Sequence, residues 1–265
     1  MNRKLIDFTT HLVDECLPGK SIDCVIIGFE EQQLKVLLLK WKYEDVWCLP
    51  GGFIRKDEDM DQAAQRILEE RTGLKSVYLN QFYTFGSIER SRLNEEVQLT
   101  RMRHILEELH GKNEKFLTWI TQRFITTGYF ALVDIRKSNP HPDMLSKRCQ
   151  WTSLSNLSGL MMDHKEIIQK AMEHLRIQLN YLPIGISLLP RKFTMQDLQR
   201  LYESFLEKPL ERSIFQRKML KLGIFNRHGK MLTGAANKAP YLYSFDERKY
   251  NELIEKVIGF RYLLA

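Results

Sequence analysis

No stretch of the 265 residues approaches the roughly 18 consecutive apolar residues that a membrane span needs, and Met1 to Asp7 lacks the apolar core of a signal peptide. A cytoplasmic protein with no membrane partner is expected. Cysteine is sparse: Cys16, Cys24, Cys48 and Cys149 form no C-x-x-C pair and no cluster with the scattered histidines. That argues against a disulfide framework and against a structural metal site, so the four are expected as small buried or half-buried thiols. Nor is a composition of 43% hydrophobic and 28% charged residues that of a disordered chain; it suits one large domain or two modest ones.

Positive charge is present in excess, and it is unevenly placed. Residues 190–265 carry 15 Lys and Arg against 8 Asp and Glu, which accounts for the whole formal net charge of +7; residues 1–189 are balanced. A basic module joined to a neutral one is the electrostatic footprint of nucleic-acid binding, because neutralising phosphates releases counterions. Charge alone leaves a solvated basic surface equally open.

Hydrophobic periodicity organises the chain. Cys24 to Phe29 is a continuous apolar run, Leu34 to Trp41 alternates around leucines, and Glu30-Glu31-Gln32-Gln33 between them predicts a hairpin. Pro50-Gly51-Gly52 is expected as a tight loop with positive φ at one or both glycines. A helix is predicted from Met60 to Arg71, with Ala63, Ala64, Ile67 and Leu68 on one side and Thr72-Gly73 as its C-terminal cap. Strands are expected at Val77 to Phe85 and Thr126 to Asp134. Between them an insert, about 94–122, has Leu99, Met102, Leu106 and Leu109 at helical spacing; it either covers the sheet or builds a dimer contact. A further helix runs from about His164 to Leu179, and 183–192, bracketed by Pro183 and Pro190, reads as a linker.

The span GFIRKDEDMDQAAQRILEERTGL, Gly52 to Leu74, resembles the Nudix signature: a glycine, five residues, a glutamate, seven residues, then Arg-Glu-apolar-x-Glu-Glu-x-Gly-apolar. Gly52, Glu58, Arg66, Leu68, Glu70, Gly73 and Leu74 fall on its positions. In Nudix hydrolases carboxylates on one face of this helix hold magnesium against a pyrophosphate. Positions 67, 70 and 71 form that face, since residues three and four apart are helix neighbours. Here they are Ile67, Glu70 and Arg71. A lone carboxylate beside a guanidinium is a poor site for a hard divalent cation, so no metal and no cofactor is expected, and Arg71 should pair with Glu70 or with an anion on a ligand. Three readings remain open: a pocket kept for ligand sensing, a helix kept for packing, and a working hydrolase drawing its metal ligands from Glu58, Glu69 and Glu70.

The second constellation starts at Phe193. Thr194 and Asp197 make a capping box, and Leu198, Leu201, Tyr202 and Phe205 form an apolar stripe. Glu207-Lys208-Pro209 permits a turn, with Pro209 tolerated in the first turn of a next helix, about Leu210 to Leu222. That helix is expected to bury Ile214, Phe215, Met219 and Leu222 and to turn Arg212, Ser213, Gln216, Arg217 and Lys221 outward. Helix, turn, and a basic, amide-bearing second helix is the helix-turn-helix plan. Arg and Gln suit guanine and adenine edges, while Lys218 and Lys221 are placed for phosphates. Ile224-Phe225 and the alternating Tyr241, Tyr243 and Phe245 predict a wing whose basic tip holds Arg227, His228, Lys230 and Lys238.

A degraded Nudix box followed by FTMQDLQRLYESFLEKPLERSIFQRKMLKLGIF and a wing ending KAPYLYSF is similar to the Nudix-related transcriptional regulators of the NrtR/AraR type. The resemblance implies an α+β chain. Residues 1–182 would form an effector-binding Nudix α/β/α sandwich with a mixed sheet, and after the 183–192 linker residues 193–265 would form an α+β winged helix-turn-helix. It further implies a homodimer on a palindromic double-stranded operator, with a sugar, a sugar phosphate or an ADP-ribose-like nucleotide as effector. Arg55, Glu58, Arg66, Glu70 and Arg71 are the candidate effector residues, and the guanidinium groups among them favour an anion. A nucleoside-diphosphate-linked hydrolase and a non-enzymatic protein or RNA adaptor are the rival readings.

Overall fold

The computed structural model describes residues 3–42, 44–75, 77, 79–92, 114–179, 183, 185–231 and 239–258, and these divide into two compact units. The first comprises Met1–Ile27, Lys35–Leu132 and Lys137–Ala171; the second comprises Gly28–Leu34, Val133–Arg136 and Met172–Ala265.

The first unit is built on a mixed sheet. Helix α1 (Arg3–Glu15) leads into β1 (Cys16–Glu30), and β2 (Gln33–Trp41), β3 (Trp47–Cys48) and β4 (Gly51–Arg55) follow. After α2 (Met60–Thr72) come β5 (Leu79–Phe85), α3 (Glu89–Arg92), α4 (Glu114–Thr121), β6 (Ile125–Leu132), β7 (Ser146–Ser153) and α5 (His164–Gln178), of which residues from Met172 on belong to the second unit. The strand order is β3-β2-β1-β6-β5, with β4 on β1 and β7 on β2. The pair β1 and β6 is parallel, Ile22 opposite Thr127 and Ile27 opposite Leu132, while β4, β5 and β7 join antiparallel. Ile22, Cys24, Val25, Ile26 and Ile27 are all fully buried, as expected of a central strand covered on both faces. The first hairpin turns at Glu31 and Gln32, both with positive φ, the two-residue geometry that matches strand twist.

Helix α2 lies where its periodicity placed it. Ala63, Ala64, Ile67 and Leu68 are buried, and Gly73 closes the helix at φ 69° with its amide bonded to Glu69 O at 2.8 Å. Tyr129 Oη on β6 donates to Asp61 Oδ1 at 2.7 Å and ties the first turn of α2 to the sheet.

Gly51 and Gly52 depart from expectation: they belong to strand β4, and neither has positive φ. Close approach is what requires them to be small. A Cβ on Gly51 would lie 2.7 Å from Asp23 Oδ1 and 2.8 Å from Ile22 O, and one on Gly52 would meet Ile67 Cδ1 at 3.0 Å. Helix α1 and strand β7 carry no comparable motif in the sequence. Of the expected insert, α4 buries Phe116, Leu117 and Trp119 in one cluster with Leu12 and Cys16, so this part of it is core. Leu99, Met102, Leu106 and Leu109 lie outside the described residues.

The second unit contains the sheet β8 (Phe193–Thr194), β10 (Tyr241–Phe245), β9 (Phe225–Lys230), with helices α6 (Met195–Leu206), α7 (Arg212–Lys221) and α8 (Glu247–Ile258). The capping box forms: Thr194 Oγ1 accepts from the Asp197 amide at 3.1 Å, and Thr194 N donates to Asp197 Oδ2 at 2.8 Å. Phe193, Phe225, Phe245 and Tyr250 pack ring against ring at 5.1 to 6.2 Å, and Tyr202 meets Phe215 at 5.3 Å. The turn between α6 and α7 is pinned where Gln199 Nε2 donates to Leu210 O at 2.9 Å and Leu210 N donates to Glu203 Oε1 at 2.9 Å.

Three local expectations change here. Pro209 precedes α7, because the Glu211 carboxylate accepts from Ser213 N and Ile214 N and starts the helix there. Of the four residues expected inside, Phe215 is buried, Met219 and Leu222 are half-buried, and Ile214 is 44% exposed. Arg227, His228 and Lys230 are on strand β9 instead of a loop tip, since β9 and β10 pair as far as Lys230 opposite Tyr241.

Candidate functional site

The first unit encloses a cavity of about 610 Å³. Its walls come from β1, β4, the inner face of α2, α3, α4 and the 142–145 loop, with His164 at the start of α5. Of the predicted effector residues, Arg55, Arg66, Glu70 and Arg71 line it, and Glu58 is set back behind Arg66.

Glu58 and Arg66 form a clamp. Arg66 Nε donates to Glu58 Oε2 at 2.9 Å, and Nη2 donates to Glu58 Oε1 at 2.5 Å and to Phe53 O at 2.9 Å. Glu58 Oε1 also accepts from the Arg55 amide at 2.8 Å, so one carboxylate holds strand β4, the following loop and α2 together. Burial pushes the Glu58 carboxyl up, but the bonds from Arg66 and the Arg55 amide outweigh it and leave it below the ordinary glutamate value.

On the 67/70/71 face, Ile67 is buried beneath Gly52, and Arg71 Nη2 stands 3.7 Å from Glu70 Oε2 and 3.8 Å from Asp143 Oδ2. Among the described residues Arg71 Nε is buried without an acceptor. Glu69 pairs instead with Lys75 at 3.2 Å. These residues do not fit the magnesium of a Nudix hydrolase, because a guanidinium and a branched aliphatic side chain occupy two of the three ligand positions. Among the described residues, no group of three or more His, Cys, Asp and Glu is placed to hold a metal ion.

The structure adds a buried polar floor that sequence spacing could not reveal. Asp23, Arg90, Asp163 and His164 are each 5 to 7% exposed. Arg90 Nε donates to Asp163 Oδ2 at 2.6 Å, Nη2 to Asp23 Oδ2 at 3.3 Å, and Nη1 to Phe124 O at 3.3 Å. The Leu49 amide donates to His164 Nδ1 at 2.9 Å, which leaves the proton on Nε2, 3.8 Å from Asp23 Oδ1. Burial holds the imidazole below its ordinary value, against the pull of Asp23 and Asp163. Two carboxylates thus share one guanidinium, and among the described residues Asp163 Oδ1 has no hydrogen-bond partner.

Along one side, Phe53 and Phe124 line the cavity, with Trp119 packed edge-on against them at 4.6 and 5.5 Å. The cavity therefore offers guanidinium groups at the α2 end, acceptors and an N–H on the floor, and an aromatic wall. That chemistry suits an anionic ligand bearing hydroxyls and a flat ring.

The second unit carries a surface of different chemistry. Helix α7 exposes Arg212, Arg217, Lys218 and Lys221, has no carboxylate between Arg212 and Lys221, and holds Gln216 half-buried. Ser213 is exposed, with its Oγ bonded to Glu211 Oε2 at 2.8 Å. On the wing the Arg227 guanidinium stacks over the Tyr241 ring at 4.1 Å, with Lys230 Nζ 5.6 Å from the same ring. Lys238 lies outside the described residues. Tyr241 as a platform for two cations follows from strand register, which residue types alone do not reveal.

Comparison with known proteins agrees with both halves of this picture. The family model described as the NUDIX domain matches residues 17–92, and the model of the NrtR DNA-binding winged helix domain matches residues 185–245. The chain is 28% identical over 242 residues to the ADPR responsive transcriptional repressor NtrR of Acinetobacter baylyi, covering 88% of this chain and 84% of that protein. It resembles the crystal structure of Shewanella oneidensis NrtR with a TM-score of 0.65 at 25% identity, over 88% of this chain and 96% of the other. The fold also matches that protein complexed with a 27mer DNA, at a TM-score of 0.64 and 23% identity, over 87% of this chain and 95% of the other.

Proposed function

Because the chain joins a Nudix domain to an NrtR-type DNA-binding winged helix domain, the combination of the Nudix-related transcriptional regulators, we propose that it binds an operator and changes its grip when a nucleotide-type metabolite fills the cavity. The observation that carries this reading is helix α7, the second helix of a helix-turn-helix, which presents four exposed cations and no carboxylate in the part of the chain that holds all the excess charge. Arg217 and Gln216 would face base edges, with Ser213 beside them. Arg212, Lys218, Lys221, Arg227, Lys230 and Lys238 would face phosphates. The division of labour follows 1–182, 183–192 and 193–265, in a cytoplasmic homodimer that reads a palindrome.

The effector is of the ADP-ribose class. Arg71, whose Nε is buried without an acceptor, and Arg55 would receive the phosphates, Asp23 and the His164 Nε2–H the ribose hydroxyls, and Phe53 and Phe124 the base. Glu58, Arg66 and Glu70 keep the wall in place. Ile67 and Arg71 occupy metal-ligand positions, which supports binding without hydrolysis. Two arrangements of the winged domains with different effector affinity are all that the switch requires.

The test is binding of the full chain to its own upstream duplex at about 150 mM salt against random competitor, with and without ADP-ribose. Specific binding that ADP-ribose weakens, with the nucleotide recovered intact in magnesium, is the expected result. Turnover of ADP-ribose to AMP and ribose 5-phosphate would make the first unit an enzyme instead.

A further inference from the structure

Apolar exposure in the second unit is not scattered. Among its described residues the exposed large apolar side chains are Ile177, Ile214, Leu220, Met231 and Tyr241, and all but Ile177 fall on α7 or the wing. The geometry of α7 sharpens this. Phe215, Met219 and Leu222, at i, i+4 and i+7, make its inner stripe; Ser213, Arg217 and Leu220 form the opposite row, flanked by Ile214 and Lys221. Ile214 is 44% and Leu220 41% exposed, each beside Arg217 on the outward face.

Leaving two branched aliphatic side chains in water on a ten-residue helix costs their transfer free energy unless a partner covers them. The cations around them select that partner. A second copy of this face would meet like charge, whereas the major groove pairs a negative potential with the one apolar group on any base edge, the thymine C5 methyl. Resting on the DNA-binding reading above, we propose that Ile214 and Leu220 are specificity-determining residues that read thymines through their methyl groups, on either side of Arg217.

The experiment uses the full chain. Tight duplexes are selected from a randomised pool and resynthesised with deoxyuridine replacing each thymidine in turn, which removes only the methyl. Wild type should bind about fourfold more weakly at each thymine read, the equivalent of the ~0.8 kcal/mol for burying one such group. Ile214→Ala and Leu220→Ala should each lose that discrimination at one position of the half-site while keeping wild-type melting temperature. Equal affinity of wild type for thymine and uracil duplexes at every position overturns the proposal without touching the DNA-binding reading, as does undiminished discrimination in both variants. If no duplex is enriched over random sequence, that reading falls and the proposal with it. Should a variant fail to fold, the wild-type comparison decides by itself.

Discussion

Arg66 grips Glu58 through two bonds, Nε to Oε2 at 2.9 Å and Nη2 to Oε1 at 2.5 Å, with the carboxylate side chain only 12% exposed. The pair occupies two positions of a motif associated with hydrolysis, and here it joins the strand and helix that wall the cavity.

Glu58→Gln should therefore lower stability by about 1–3 kcal/mol, because it leaves the Arg66 guanidinium without its charged partner. The effect carries a pH signature. The folded Glu58 carboxyl lies below its ordinary value of 4.5, so the unfolded chain takes up this proton first as pH falls. The stabilisation is complete well above that value and is lost progressively as pH falls from it through the lower folded value. Melting temperature against pH should fall more steeply for wild type than for the variant below about pH 5; parallel curves would remove the clamp.

Gly51→Ala tests close approach. Its Cβ would be 2.7 Å from Asp23 Oδ1, on the cavity floor, so a cost of about 1–3 kcal/mol and weaker ADP-ribose binding are expected together. Gly229→Ala, with no described residue within 4 Å of the added Cβ, should change melting temperature little. Equal effects from both substitutions would contradict the packing account.

His164 predicts behaviour nearer neutrality. Its folded imidazole sits below the ordinary 6.5, so the unfolded state binds the proton first and stability declines as pH falls below that value toward the folded one. His164→Gln keeps an acceptor for the Leu49 amide but cannot titrate. The loss of melting temperature between about pH 7.5 and 5.5 should be smaller in the variant than in wild type.

On α7 the two kinds of cation should separate. Lys218→Ala, which removes one phosphate contact from each subunit of the dimer, is expected to reduce the slope of log Kd against log salt by about 1.8 while sequence preference stays the same. Arg217→Ala should relax preference at one base pair of each half-site, costing about 1–3 kcal/mol per half-site. Both are read by titrating a selected duplex at several salt concentrations, and identical profiles for the two variants would rule out this assignment.

Sequence alone determined the features whose signal is local. The α2 helix, its glycine cap and the Glu58 and Arg66 spacing all lie between Glu58 and Gly73, and the Thr194 to Asp197 box starts α6 as its residues require. The uneven charge and the missing carboxylates at Ile67 and Arg71 needed no coordinates either. Residue type and local spacing did not determine the rest: Gly51 and Gly52 belong to strand β4, and Ile214 is exposed.

Tertiary structure alone decided the cavity floor and the outward face of α7. Arg90 lies 67 residues from Asp23 and 73 from Asp163, and only the strand order and the start of α5 bring the three together. No periodicity encodes such a meeting, because each residue's own neighbourhood is satisfied whichever distant partner it finds. The rotation of α7 was hidden for a related reason. Its apolar residues are too evenly spread around the helix to mark one side, so the packing of Phe215 against Tyr202 chose which of them would be left outside.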